Sequence, residues 1–253
     1  MQEEFVPLIK EAAEDCKSYF KDRLRTAYLH GSIAQNDAVP GVSDMDYYLV
    51  ISEEPGQEDR EYFGRIEARL QNKYPVVNGV HIGLHSIDEL RADKFARFIL
   101  RYNSTVNYGG DIVKSLEEKG CERILPDRDT AKGRLSFARQ CFSDALSGKQ
   151  PANTGEIPSD TFYAARKFAR YFVIIEGAYF LMTVGKFVSF EKSAVLSGLR
   201  SELQNGSAGF ENILDITEQV LYDPVKANVT HTEYLRIITP FMERIFEQSA
   251  YDI

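Results

Sequence analysis

A chain of 253 residues, 43% of them apolar, can bury one large core or two modest ones. Its 38 Asp and Glu against 30 Lys and Arg leave a formal charge of -8, which argues against nucleic-acid and membrane-surface partners, since both favour a basic balance. Cys16, Cys121 and Cys141 are widely spaced and match no metal-ligand pattern, so they suit free thiols in a reducing compartment.

Phe5, Leu8, Ile9, Ala12, Ala13, Cys16, Tyr19 and Phe20 recur at helical spacing over residues 3–23. Residues 25–30 and 45–51 read as strands, and a second helical period over 58–73 carries Tyr62, Phe63, Ile66 and Leu70. Residues 75–86 predict a third strand, with Val80, Ile82 and Leu84 on one face and His81, Gly83 and His85 on the other. A helix over 88–102 is capped by Ser86, with Asp88 and Glu89 in its first turn and Arg97 and Arg101 near its end as dipole partners or solvent-facing charges. A short strand at 104–108 is closed by Gly109-Gly110, and Asp111 opens a helix to Lys119. Residues 121–129, containing Pro126, form the linker.

Beyond residue 130 strand signals vanish. Residues 131–147 are helical, 148–159 form a Gly/Pro/Asn/Thr loop, and Ser159 or Asp160 caps a long apolar helix over 162–184 that Gly185-Lys186 stops. Helices follow at 190–203, 212–222 and 232–250, separated by Asn205-Gly206-Ser207 and Asp223-Pro224. Five helices without strands predict a bundle. The expected class is therefore α+β, a sheet domain over 1–126 followed by an all-α bundle over 127–253. The opening Met1-Gln2-Glu3-Glu4 has neither the basic start nor the apolar core of a signal peptide. The most apolar stretch, 172–188, contains Glu176 and Lys186 and falls short of the roughly 20 residues of a membrane span, so a cytoplasmic protein with no membrane partner is expected.

The chemistry-bearing stretch is 29–51. Gly31-Ser32 turns the chain out of the first strand, and Asp44 and Asp46 lead into the second, where two residues apart on an extended chain they share a face. Like charges about 4 Å apart repel by roughly 4 kcal/mol at an effective dielectric near 20, so such a pair expects a cation. Alone, Asp-x-Asp is commonly a solvated strand edge. The neighbouring turn changes the balance, because glycine lets backbone approach a phosphate and the N–H groups opening a helix favour an anion. Together the two suit a nucleoside triphosphate with magnesium, whose metal bridges carboxylates and phosphate oxygens.

Gly-Ser, eleven residues, then Asp-x-Asp and an apolar strand resembles the signature of the DNA polymerase beta-like nucleotidyltransferases. The resemblance implies a small mixed-sheet catalytic domain that moves a nucleoside monophosphate from ATP or another triphosphate to an acceptor hydroxyl, releasing pyrophosphate. It implies Mg2+ or Mn2+ on Asp44 and Asp46, and phosphates on Gly31 and Ser32. A sheet domain followed by a helical bundle is similar to the antibiotic nucleotidyltransferases, the aminoglycoside and lincosamide enzymes, in which the bundle closes over a small hydroxylated acceptor. In the family the third strand supplies a third carboxylate, and His81 stands at that place. Three readings stay open: a nitrogen ligand suited to manganese or zinc, a general base, or a lost ligand and a weakened site.

Within the bundle, Gly185, Ser189 and Lys192 resemble a pattern of the antibiotic group and imply a phosphate contact for Lys192, although the Ser189–Lys192 spacing is longer than in that group. Glu176, among apolar neighbours over 172–180, is expected to be desolvated with a raised pKa and to act as general base, or else to form a buried ion pair with Arg170, Lys167 or another bundle residue. Arg166, Lys167 and Arg170 either grip a triphosphate or form a solvated face. Two functions follow: a metal-dependent nucleotidyltransferase acting on a small molecule, antibiotics included, or a catalytically weakened nucleotide-binding or antitoxin-like regulatory protein on the same fold, which His81 favours.

Overall fold

The computed structural model describes residues 2–152, 157–203 and 208–250, so the Asn205-Gly206-Ser207 break and part of the 148–159 loop lie outside the described residues. The chain divides into two compact units, Met1–Ile124 and Leu125–Ile253.

The first unit runs α1 (Val6–Phe20), β1 (Leu24–His30), α2 (Gly31–Ala34), β2 (Met45–Ile51), α3 (Gln57–Lys73), β3 (Val80–Ser86), α4 (Ile87–Ala92), α5 (Lys94–Asn103), β4 (Ser104–Gly109) and α6 (Ile112–Glu118). The strands order as β3-β2-β1-β4. β1 is antiparallel to β2 and β4, and β2 is parallel to β3, which makes the sheet mixed. Strand alternation sorts the two faces. Ala27, Leu29, Tyr47, Leu49, Ile82 and Leu84 pack with Leu8, Ala12 and Phe20 of α1 and with Phe63, Ile66 and Leu70 of α3. Tyr28 and Val50, on the other face, pack with Leu90, Leu100, Val113 and Leu116. Each fully buried side chain of this size contributes about 1.5–3 kcal/mol, so two such layers hold the strands rigidly.

The third strand begins at Val80, not at residue 75. Residues before it are drawn instead into the loop ahead of β2, where the Gly41 N–H donates to the Val76 carbonyl at 2.7 Å and the Asn78 N–H to the Ser43 carbonyl at 3.0 Å. The helix expected over 88–102 is two helices broken at Asp93, whose backbone is extended and whose carboxylate caps α5 by accepting from the Ala96 N–H at 2.9 Å. Arg97 turns inward and donates to the carbonyls of Leu90 at 2.9 Å and Arg91 at 2.5 Å, so it neutralises the C-terminal end of α4. Arg101 pairs with Glu117 of α6 at 2.9 Å.

The second unit contains α7 (Arg128–Leu146), α8 (Thr161–Phe168), a π-helical segment Ala169–Ile175, α9 (Glu176–Thr183), α10 (Lys192–Leu203), α11 (Ala208–Tyr222), α12 (Pro224–Ala227) and α13 (His231–Ala250). The long apolar helix is present, capped by Asp160, but its middle winds with the wider π spacing. Asp223-Pro224 does more than separate two helices. Asp223 accepts from the Lys226 N–H at 3.1 Å and Pro224 takes the first helical position of α12, so the pair starts an extra turn. Arg166 is not on a solvated face, since it is buried and its Nε donates to the Leu221 carbonyl at 2.9 Å, near the end of α11. Among the described residues no helix is long and apolar enough to cross a membrane. All three cysteines are free thiols.

Candidate active site

The sheet register builds the site. His30, the last residue of β1, lies opposite Asp46 of β2 on one side and Ser104 of β4 on the other. Asp46 in turn lies opposite His81 of β3. Ser104, His30, Asp46 and His81 thus form one row across all four strands, on the face that carries Tyr28, because directly paired residues project from the same side. Asp44 stands two residues before Asp46, just ahead of β2. Both carboxylates are half-buried and His81 is exposed, so the acids are partly withdrawn from water while the row stays open at its β3 end.

The Gly31-Ser32 turn springs from the residue facing Asp46. His30 is extended, and Gly31 then takes φ +70, a left-handed conformation that costs other residues roughly 1–2 kcal/mol. Ser32 is buried, and the short α2 closes with the Gln35 N–H on the Gly31 carbonyl at 3.1 Å and the Asp37 N–H on the Ser32 carbonyl at 2.9 Å. The turn and the acid pair therefore belong to the same end of two adjacent strands. The structure brings together Gly31, Ser32, Asp44, Asp46 and His81.

Asp44 and His81 both lie beside the backbone of Gly79. A Cβ at Gly79 would meet His81 Nε2 at 3.1 Å and Asp44 Oδ1 at 3.3 Å, so glycine leaves both groups room beside the same point of backbone. Gly79→Ala is expected to push them aside at a stability cost under about 1 kcal/mol, since both neighbours are ends of movable side chains. Calorimetric Mn2+ binding is expected to weaken about tenfold in that variant, because Asp44 is displaced relative to Asp46. Unchanged binding would show that cation binding does not depend on where Asp44 sits.

The remaining candidates have their own surroundings. His85 is a packing residue: its ring stacks on Tyr48 at 3.9 Å, and burial lowers its pKa despite Glu89 nearby. Glu176 is wholly buried, and its carboxylate accepts from Arg134 Nη2 at 2.6 Å and Nε at 3.0 Å. The ion-pair alternative describes it, with Arg134 of α7 as the partner in place of Arg170 or Lys167. A base must touch the hydroxyl it deprotonates, and this carboxylate is enclosed by protein and held by a guanidinium. Lys192 is 1% exposed, its Nζ 5.2 Å from the centre of the Tyr222 ring, so it presents no open surface for a phosphate. A cavity of about 670 Å³ at the far end of β1 and β2 is lined by Arg23, Glu53, Glu54, Glu58, Asp59 and Glu61, a setting that repels polyphosphate.

Sequence reading missed His30 and its partners. His30 Nδ1 lies 3.0 Å from Ser104 Oγ, and Asn103 Nδ2 lies 3.4 Å from His30 Nε2. The available signal was a histidine immediately before the turn glycine, in a strand that must pair with the acid-bearing one.

A divalent cation fits the donors present. Two half-buried carboxylates suit Mg2+ or Mn2+, which commonly takes one or two carboxylates and completes its shell with phosphate oxygens and water. Among the described residues no three His, Cys, Asp or Glu side chains are gathered as a metal cluster.

The whole chain resembles a solved structure. Spectinomycin adenyltransferase AAD(9) from Enterococcus faecialis, crystallised with ATP and spectinomycin, aligns over 96% of this chain and 99% of its own with a TM-score of 0.55 and 12% identity. The two share a fold. No family model matches the chain, and no curated protein matches it.

Proposed function

We propose that the chain is a nucleotidyltransferase that moves a nucleoside monophosphate from ATP or a related triphosphate to a hydroxyl of a small molecule. One observation carries the reading: the β1–β2 register puts the Gly31-Ser32 turn at the strand end that faces Asp46, so the turn, which would seat an anion, shares one corner of the sheet with a pair of carboxylates. The fold shared with AAD(9) supports it, and the ATP and spectinomycin named for that structure suggest the co-substrate and the kind of acceptor to try first.

Asp44 and Asp46 would hold Mg2+ or Mn2+, which when bound supplies charge neutralisation at the reacting phosphate. The Gly31-Ser32 backbone would seat the terminal phosphates and orient the triphosphate so that an acceptor hydroxyl lies in line with its α-phosphorus. Most of the rate would then come from positioning. Exposed His81, at the rim of the row, would take the proton of an acceptor hydroxyl. Glu176 and Lys192 take no part in this scheme.

A second reading, a nucleotide-binding regulatory or antitoxin-like protein on the same fold, is favoured by His81 where the resembling family carries an acid. One experiment separates them. Pyrophosphate release is measured with ATP and Mg2+ across a panel of hydroxylated acceptors that includes spectinomycin, alongside calorimetric ATP binding. Acceptor-dependent release is the expected result. Binding without release from any acceptor favours the second reading, and neither binding nor release overturns both.

A further inference from the structure

Both flanks of the Gly31-Ser32 turn are tied to one dipeptide. Gln35 Nε2 donates to Asn103 Oδ1 at 3.2 Å, Asn103 Nδ2 lies 3.4 Å from His30 Nε2, and His30 Nδ1 lies 3.0 Å from Ser104 Oγ. The Asn103 amide spans Gln35 and the His30 ring, and the His30 ring joins that amide to the Ser104 hydroxyl. His30 immediately precedes Gly31–Ala34 and Gln35 immediately follows it. Asn103 and Ser104 form the junction where α5 ends and β4 begins, and Ser104 is paired in register with His30.

A four-residue turn is thus gripped at both ends by a helix–strand junction 68 to 74 residues further along the chain. Gly31 would otherwise sample many conformations, and ordering it only when a ligand arrives would weaken binding. We propose that Asn103-Ser104 is a clip that preorganises the Gly31–Gln35 turn for a triphosphate, with Asn103 and His30 as positioning residues; this rests on the phosphate role proposed above for that turn.

Asn103→Leu keeps the side-chain size and removes both amide links. Three measurements test it on the full chain. Calorimetric binding of ATP with Mg2+, without acceptor, is expected to weaken about tenfold. Hydrogen exchange of the Gly31–Gln35 amides in the ligand-free protein is expected to accelerate about fivefold as the turn loosens. The 15N spectrum of His30 is expected to show a changed balance of its Nδ1–H and Nε2–H forms, because Nε2 has lost the Asn103 amide beside it. That signature would not move if Asn103 served only to fill space. Unchanged exchange together with an unchanged tautomer overturns the clip. Unchanged ATP affinity despite a loosened turn overturns its preorganising role. A wild-type protein that binds no ATP overturns the triphosphate reading instead, while exchange and tautomer still judge the clip. Should Asn103→Leu fail to fold, Gln35→Ala, which cuts a single link at a half-buried residue, is held to the same exchange result.

Discussion

Asp44→Ala is expected to lower pyrophosphate release about a thousandfold or more while leaving the protein folded. A bound divalent cation supplies several kcal/mol of charge stabilisation, and about 4 kcal/mol corresponds to a factor of a thousand in rate. The side chain is half-buried and lies outside the regular strand, so its loss empties no core cavity. Removing one of two neighbouring carboxylates also relieves their mutual repulsion, which works against any loss of stability. Asp46→Asn keeps the shape and removes the charge, and a fall of the same order is expected there. The checks are steady-state release with Mg2+ and a thermal melt of each variant. Full metal-dependent release from a folded Asp44→Ala protein would refute the cation site, and a collapsed melt in both variants would assign the pair to stability.

Arg134→Met is expected to destabilise the helical unit by about 3–5 kcal/mol near neutral pH, the usual effect of removing one member of a buried ion pair. Glu176 is 0% exposed and Arg134 has 14% of its side chain accessible, with the guanidinium also 5.2 Å from the Tyr171 ring centre and 5.8 Å from that of Tyr179. Without Arg134 the carboxylate keeps the cost of burial and loses its counter-charge. Glu176→Leu added to Arg134→Met is expected to recover most of the loss, since two well-packed apolar side chains leave no charge behind. Urea unfolding of the wild type, both single variants and the double variant measures the coupling. A loss in the double variant equal to the sum of the two single losses would mean that the pair is not coupled.

The same pair predicts a pH dependence. Burial pushes the Glu176 carboxyl up from its usual 4.5 to about 7, against the pull of Arg134. A carboxyl raised above its unfolded value contributes stability that is complete below about 4.5 and fades as pH rises through about 7. In Arg134→Met only the burial remains, so the carboxyl rises further and the ionised form is penalised more. The deficit of that variant is therefore expected to be larger near pH 8 than near pH 5.5. A deficit that grows toward acid would refute burial as the dominant cause.

Much of the fold was legible along the chain. Of Ser159 and Asp160, the two cap residues the sequence offers, Asp160 is the cap, and Gly185-Lys186 ends the helix as expected, because a cap or a left-handed terminus is decided within one turn of the helix. The helix over 88–102 was misjudged because Asp93 supports two outcomes equally well, a polar residue on a helix face or a cap that begins a new helix. Packing of Leu90 and Leu100 in one core layer, with Arg97 turned in to the Leu90 carbonyl, selected the second. The early start assigned to β3 failed for a similar reason: the apolar Val76 and Val77 look like strand, yet their backbone bonds go to a loop or back within their own turn.

Residue order alone determined the acid pair, the glycine turn before it, and the division into a sheet-forming half and a helical half, because periodicity, turn chemistry and spacing are properties of neighbours. Tertiary structure decided which groups become neighbours: His30 of Asp46 and Ser104, Asp44 and His81 each of Gly79, and Glu176 of Arg134. Those meetings depend on strand register and helix packing between segments tens of residues apart, where many partners satisfy the same local pattern and only the best-packed arrangement selects among them.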